Sequence, residues 1–142
     1  MKLVKHLLDS KGRHIIEIAP DASVFEAIKL MADKAVGSLL VLEDEKLLGI
    51  VTERDYARKV ILKGRSSDNC KVSEIMSTNV LTASSSQTVN QCMEVMTERR
   101  IRHLPVVEDN KVIGLISIGD LVQAIISHQQ EEIQQLESYI SG

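Results

Sequence analysis

Gly49-Ile-Val-Thr-Glu-Arg-Asp55 and Gly114-Leu-Ile-Ser-Ile-Gly-Asp120 are one short pattern written twice, 65 residues apart. In each, a glycine and two aliphatic residues lead to a hydroxyl, and an aspartate follows three places on. Working outward, the register holds: Ile15–Ile61 overlies Val80–Ile126 without a gap, and ten of the 47 positions are identical. Val24/Val89, Met31/Met96, Gly49/Gly114 and Asp55/Asp120 are among them, and the acidic segments Glu43-Asp44 and Glu108-Asp109 coincide. Self-similarity at a fixed period marks a duplicated structural unit.

Both copies spell the same elements. A short apolar strand comes first, at His14–Ile18 and Val80–Ala83. Ser23-Val-Phe-Glu26 and Thr88-Val-Asn-Gln91 then have capping-box form. The helices they open place Val24, Ala27, Ile28 and Met31, or Val89, Cys92, Met93 and Met96, at helical spacing. Two apolar runs follow, Ser38–Leu42 with Leu47–Val51 and His103–Val107 with Val112–Ile116. An acidic, polar turn splits each pair, which predicts a hairpin. A second helix runs from Thr52 to about Leu62, and from Ser117 onward. Lys63–Ser77 reads as a connector with a helical turn at Val72–Met76. One copy of about 50 residues is marginal alone, so the expected fold pairs the two around a pseudo-two-fold axis and buries both sheets. The class is α+β: tandem β-α-β-β-α repeats with an extended C-terminal helix. The boundaries are repeat 1 at 8–62, connector at 63–77, repeat 2 at 78–127 and helix extension at 128–142.

Composition narrows the function classes. At 142 residues, 44% hydrophobic and 26% charged, the chain has the balance of a soluble globular protein. A net charge of −3 argues against nucleic acid as a partner. With Phe25, Tyr56 and Tyr139 as the only aromatics, a base-stacking platform is not expected. No run approaches the ~20 apolar residues of a membrane span, and Met1 to Asp9 lacks a secretory apolar core. Cys70 and Cys92 have neither metal-ligand nor redox-motif spacing. A cytoplasmic location follows as the expectation, with no membrane partner.

The repeated pattern carries the chemistry. Thr52 and Ser117 end an apolar strand and start a helix, where backbone N–H groups are expected to point outward unpaired. Such a helix start with one hydroxyl suits a phosphate. Asp55 and Asp120 sit one turn on, and a carboxylate can accept from both hydroxyls of a ribose 2′,3′-diol. The preceding glycine would let a ligand approach the backbone. A structural cap explains the same spacing, with the acid favoured by the helix dipole; the two roles are compatible.

The two patterns resemble the G-h-h-[ST]-x-x-D signature of cystathionine-β-synthase-type (CBS) domains, and Ile101-Arg-His-Leu-Pro-Val106 is similar to that family's second-strand motif. Arg54-Asp-Tyr-Ala-Arg-Lys59 and Ile116-Ser-Ile-Gly-Asp-Leu121 further resemble small stand-alone CBS-pair proteins. The resemblance implies a tandem pair, or Bateman module, that forms a homodimer. It implies an adenosine ligand, foremost AMP or NAD(H), with ADP, ATP or S-adenosylmethionine as further members. It also implies that Arg13–Ile15 and Thr78–Val80 line an adenine slot, with Val80 and Pro105 as apolar contacts.

The copies differ where phosphate charge would be met. Arg102 and His103 precede Leu104-Pro105, whereas Gly37 and Ser38 precede Leu39-Leu40. An arginine fork and a protonated histidine both suit phosphate. Arg54 lies inside the first pattern, where the second has Gly119, and Arg58 follows one turn beyond Asp55. A solvated helix face is the other reading of Arg54 and Arg58. The expected ligand contacts are therefore Ser38, Thr52, Arg54, Asp55, Arg58, Thr78, Val80, Arg102, His103, Pro105, Ser117 and Asp120.

His6, His14 and His128 have no partner at metal or triad spacing, and no P-loop, GxGxxG, HExxH or GxSxG occurs. Neither a metal nor an enzymatic activity is expected. Val122, Ile126, Gln129, Ile133, Leu136 and Ile140 are spaced 4, 3, 4, 3, 4, a coiled-coil-like stripe that predicts packing on a partner chain. The alternative folds that helix back on its own domain. The expected function is a regulatory adenine-nucleotide-binding module for energy or redox sensing, acting on a regulated protein in trans. The rival is a ligand-free dimeric scaffold.

Overall fold

A computed structural model describes residues 2–141. In chain order it contains α1 (Val4–Lys11), β1 (Glu17–Ile18), α2 (Val24–Lys34), β2 (Ser38–Glu43), β3 (Lys46–Thr52) and α3 (Glu53–Tyr56). A π-helical stretch, Ala57–Ile61, continues α3. Then come α4 (Val72–Ile75), α5 (Val89–Arg99), β4 (His103–Glu108), β5 (Lys111–Ser117) and α6 (Ile118–Ser141). The mixed α+β class and the repeated order of helix, hairpin and helix are as the duplication predicts. Two units result. One comprises Ile15–Leu81 with Asp109–Val112; the other comprises residues up to His14, Thr82–Glu108 and the chain from Ile113 on.

In the unit of the first copy the sheet order is β1-β2-β3. β1 runs parallel to β2 with Glu17 opposite Leu40, and β2 pairs antiparallel with β3, placing Ser38 opposite Thr52. The hairpin closes through Asp44 and Glu45, both at positive φ (51° and 68°). That left-handed pair matches strand twist in a two-residue turn. Ser23 caps α2 by accepting from the Glu26 amide at 3.0 Å. The helix then buries Val24, Ala27 and Met31 against Leu39, Val41 and Val51. Cys70, Val72 and Ile75 close the same core from the connector. The second helix is not regular throughout: Leu62 and Arg65 amides donate five residues back, to Ala57 and Val60 carbonyls.

In the unit of the second copy, Thr88 and Gln91 form the reciprocal box that the sequence predicts, with bonds of 2.9 and 3.0 Å. Val89, Cys92 and Met96 of α5 meet Leu104, Val106 and Ile116 of the hairpin and Leu121 of α6. Helix α1 belongs to this core, burying Val4, Leu7 and Leu8. The first strand differs from expectation in both copies. His14–Ile18 shortens to the two residues of β1, and Val80–Ala83 reduces to one parallel bridge between Ala83 and Val106. After Ala83 the polar Ser84–Gln87 turn takes over, with the Ser84 amide donating to Gln87 Oε1 at 2.9 Å, so the pairing does not extend past Ala83.

Helix α6 is buried only at Leu121 and Ala124. It does not fold back on its unit: every residue from His128 to Ser141 is exposed. No helix among the described residues is long and apolar enough to cross a membrane.

Candidate functional site

Each repeated pattern forms a corner where a strand becomes a helix, and in both copies the aspartate caps that corner. In the first copy the Thr52 amide and hydroxyl donate to Asp55 Oδ2 at 3.0 and 3.1 Å, and the Asp55 amide donates to Thr52 Oγ1 at 3.0 Å. In the second, the Ser117 amide donates to Asp120 Oδ2 at 2.8 Å and the Asp120 amide to Ser117 Oγ at 3.1 Å. The next amide is committed as well. Glu53 donates to the Gly37 carbonyl at 3.1 Å and Ile118 to that of Arg102 at 2.9 Å. The expected row of unpaired N–H groups is therefore corrected: at most the Arg54 and Gly119 amides remain at each corner.

The glycines are corrected too. A Cβ on Gly49 would come within 2.7 Å of the Ser77 carbonyl oxygen, and one on Gly114 within 2.7 Å of Leu8 Cδ2. What approaches these backbones is the chain itself, in place of the expected ligand.

The second oxygen of each acid separates the copies. Asp55 is buried, and its Oδ1 meets Lys59 Nζ at 3.2 Å; the same ammonium donates to the Ile75 carbonyl at 2.9 Å. Both Asp55 oxygens are thus engaged. Asp120 places Lys11, from α1, on the already capped Oδ2, and Lys11 Nζ also donates to the Leu115 carbonyl at 2.8 Å. Asp120 Oδ1 has no hydrogen bond among the described residues, and its side chain is 25% exposed against 12% for Asp55. Burial works against the Asp120 charge, yet the Lys11 ammonium and the Ser117 amide outweigh it and hold the carboxyl below the usual range. Half-buried His103 lies near enough to feel that charge. Burial, with Lys11 and Arg102 adding repulsion, outweighs the Asp120 attraction and depresses its pKa, so the ring is neutral near pH 7.

The expected contacts sort accordingly. Ser38, Thr52 and Asp55 come together in one unit, while His103, Ser117 and Asp120 do so in the other. Arg102 contributes its carbonyl to the corner and leaves its guanidinium exposed. Pro105 is buried in β4, with its carbonyl accepting from the Ala83 amide. Arg54 and Arg58 are exposed and join no described ion pair or side-chain bond, which is compatible with either of their two readings. Thr78 is exposed and Val80 half-buried, both beyond the last bond of Ser77 to Ile50. Two cations were not anticipated. Lys59 could have been found from its i,i+4 spacing to Asp55; nothing local pointed to Lys11, 109 residues from its partner.

Comparison with known proteins gives a consistent picture. The CBS domain model matches residues 7–62 and 72–127. The CBS domain-containing protein CBSX3, mitochondrial, of Arabidopsis thaliana is 40% identical across 98% of this chain and 72% of its own length. The structure of a protein with CBS domains from Burkholderia ambifaria MC40-6 is 50% identical, covers 90% of this chain and 96% of its own, and superposes with a TM-score of 0.83. A CBS domain pair solved in complex with 5′-methylthioadenosine and S-adenosyl-L-methionine is 27% identical over 90% of this chain and 98% of its own, with a TM-score of 0.77.

Proposed function

The chain belongs to the CBS-domain family, and from that premise we propose that it is a non-catalytic sensor that binds an adenosine-containing small molecule at Asp120 and reports occupancy to a regulated protein in trans. The observation that carries this reading is Asp120 Oδ1: an acceptor on a carboxylate kept charged, partly exposed and without a hydrogen-bond partner among the described residues. A ribose diol offers two donors to such an oxygen. Arg102, exposed beside the corner, supplies a guanidinium for a phosphate, which favours AMP or NAD(H). The adenosine compounds bound by the related CBS pair support the ligand class.

Lys11 makes the site responsive. It shares Asp120 with any arriving ligand, so occupancy bears on α1, whose Leu8 is locked in the core. The resulting bias is limited by the ligand's differential affinity for the two arrangements.

A second reading, a ligand-free scaffold, draws on the first copy, where both Asp55 oxygens are engaged. Thermal shift against AMP, ADP, ATP, NAD(H) and S-adenosylmethionine separates the two. A ligand at 100 times its Kd stabilises by about 2.7 kcal/mol, and at least one should do so. No shift with any of the five would favour the scaffold, and turnover of a ligand would indicate an enzyme.

A further inference from the structure

Lys11 reaches the second corner by a fixed route. Leu8 and Lys11 lie one turn apart on one face of α1, and they meet consecutive residues of β5. Leu8 fills the space that a Cβ on Gly114 would take, and Lys11 Nζ donates to the Leu115 carbonyl at 2.8 Å. Val4, Leu7 and Leu8 are buried, and the Gly12 amide closes the helix on the Leu8 carbonyl at 2.8 Å. The turn that carries Lys11 is therefore held in place. An ammonium has three donors. Two are used, on Leu115 and Asp120, and among the described residues the third meets no acceptor. With its side chain 34% exposed, Lys11 presents that donor beside the open Asp120 Oδ1.

The charges around that pair do not cancel. Asp120 carries one negative charge, while Lys11 and the exposed Arg102 carry one positive charge each. Both cations oppose a proton on His103, so they act on one spot, and the neutral ring adds no charge there. The first corner offers no counterpart. Its ammonium, Lys59, comes from the helix that the corner itself starts and occupies the remaining oxygen of Asp55. At the second corner a neutral nucleoside would satisfy Asp120 and leave the positive excess uncompensated. A cationic sulfonium would add to that excess. A phosphate would offset it and accept the third Lys11 donor in a charge-assisted bond. Building on the role proposed for Asp120, we propose that Lys11 is a specificity-determining residue of the site, selecting anionic nucleotides over neutral or cationic adenosine compounds by donating to their phosphate.

Isothermal titration of the full chain with AMP and with adenosine, which differ only in the phosphate, provides the test. The parent should bind AMP at least about tenfold more tightly, the size of one charge-assisted hydrogen bond. Lys11→Met should weaken AMP by about that factor and leave adenosine unchanged or tighter, because Asp120 is no longer shared. A role confined to holding α1 in place would move both Kd values alike. The parent's preference should also shrink between about 0.1 and 1 M salt, where the Debye length falls from about 10 to 3 Å; that measurement needs no variant. Equal Kd values in the parent, a preference undiminished in Lys11→Met, or one indifferent to salt would each overturn the inference while leaving Asp120 as the diol acceptor. Binding of neither compound would overturn it together with the reading of Asp120 on which it rests.

Discussion

Gly49→Ala tests whether the corner is sealed by the chain itself. The φ of Gly49 lies outside the left-handed region, so the backbone permits alanine and only the added methyl counts. That methyl would stand 2.7 Å from the Ser77 carbonyl oxygen and 3.0 Å from Met76 Sδ. Ser77 cannot yield cheaply. Its amide and carbonyl exchange bonds of 2.9 and 3.0 Å with Ile50, the next residue along β3. Relief means loosening both bonds, each worth about 1 kcal/mol net, or accepting overpacking of about 1–3 kcal/mol. A loss of about 3 kcal/mol is expected, which at this chain length lowers Tm by about 10 °C. Gly114→Ala is the internal control, because its clash is with the Leu8 side chain, which has rotamers to try. It should cost about 1.5 kcal/mol, or about half the shift. Differential scanning calorimetry measures both. A Gly49→Ala protein within about 2 °C of the parent, or one more stable than Gly114→Ala, would refute the reasoning.

Three further outcomes are expected. Asp55→Ala removes the Thr52 cap and strands Lys59, and should cost about 2 kcal/mol in urea unfolding while leaving ligand-induced stabilisation largely intact. Lys11→Met should cost about 0.5–1 kcal/mol near pH 7, discounted for the exposure of the pair. Asp120 has its carboxyl lowered in the folded state, so this contribution is present above the ordinary aspartate range and fades as pH falls through the lower folded value. The gap between Lys11→Met and parent should therefore close below about pH 4. Cys70 and Cys92 are both buried, and burial pushes the Cys92 thiol up. Ellman's reagent should titrate neither until the protein is unfolded, and fast labelling of the native chain would contradict the packing.

The elements legible in the sequence were those fixed by neighbours along the chain. Capping residues Ser23 and Thr88 and the acidic turns at Asp44 and Asp109 each act within a few positions, and the 65-residue register doubled every signal. Features set by distant contact were not legible. Only Ala83 of the expected Val80–Ala83 strand meets β4, at Val106 more than 20 residues on, and α1 joins a distant part of the chain through Leu8 and Gly114. At the corners, Thr52-x-x-Asp55 and Ser117-x-x-Asp120 satisfy the cap and the ligand reading equally in sequence. Only the cations distinguish them in space: Lys59 takes the last oxygen of Asp55, while Lys11 shares an oxygen of Asp120 that was already capped, leaving Oδ1 open.

Isothermal titration of the full chain with whichever nucleotide of the panel shifts its melting most, compared between the parent, Asp120→Ala and Asp55→Ala, probes that asymmetry directly. One site that vanishes in Asp120→Ala and persists with a similar Kd in Asp55→Ala is the predicted result. Equal affinity in parent and Asp120→Ala would contradict it.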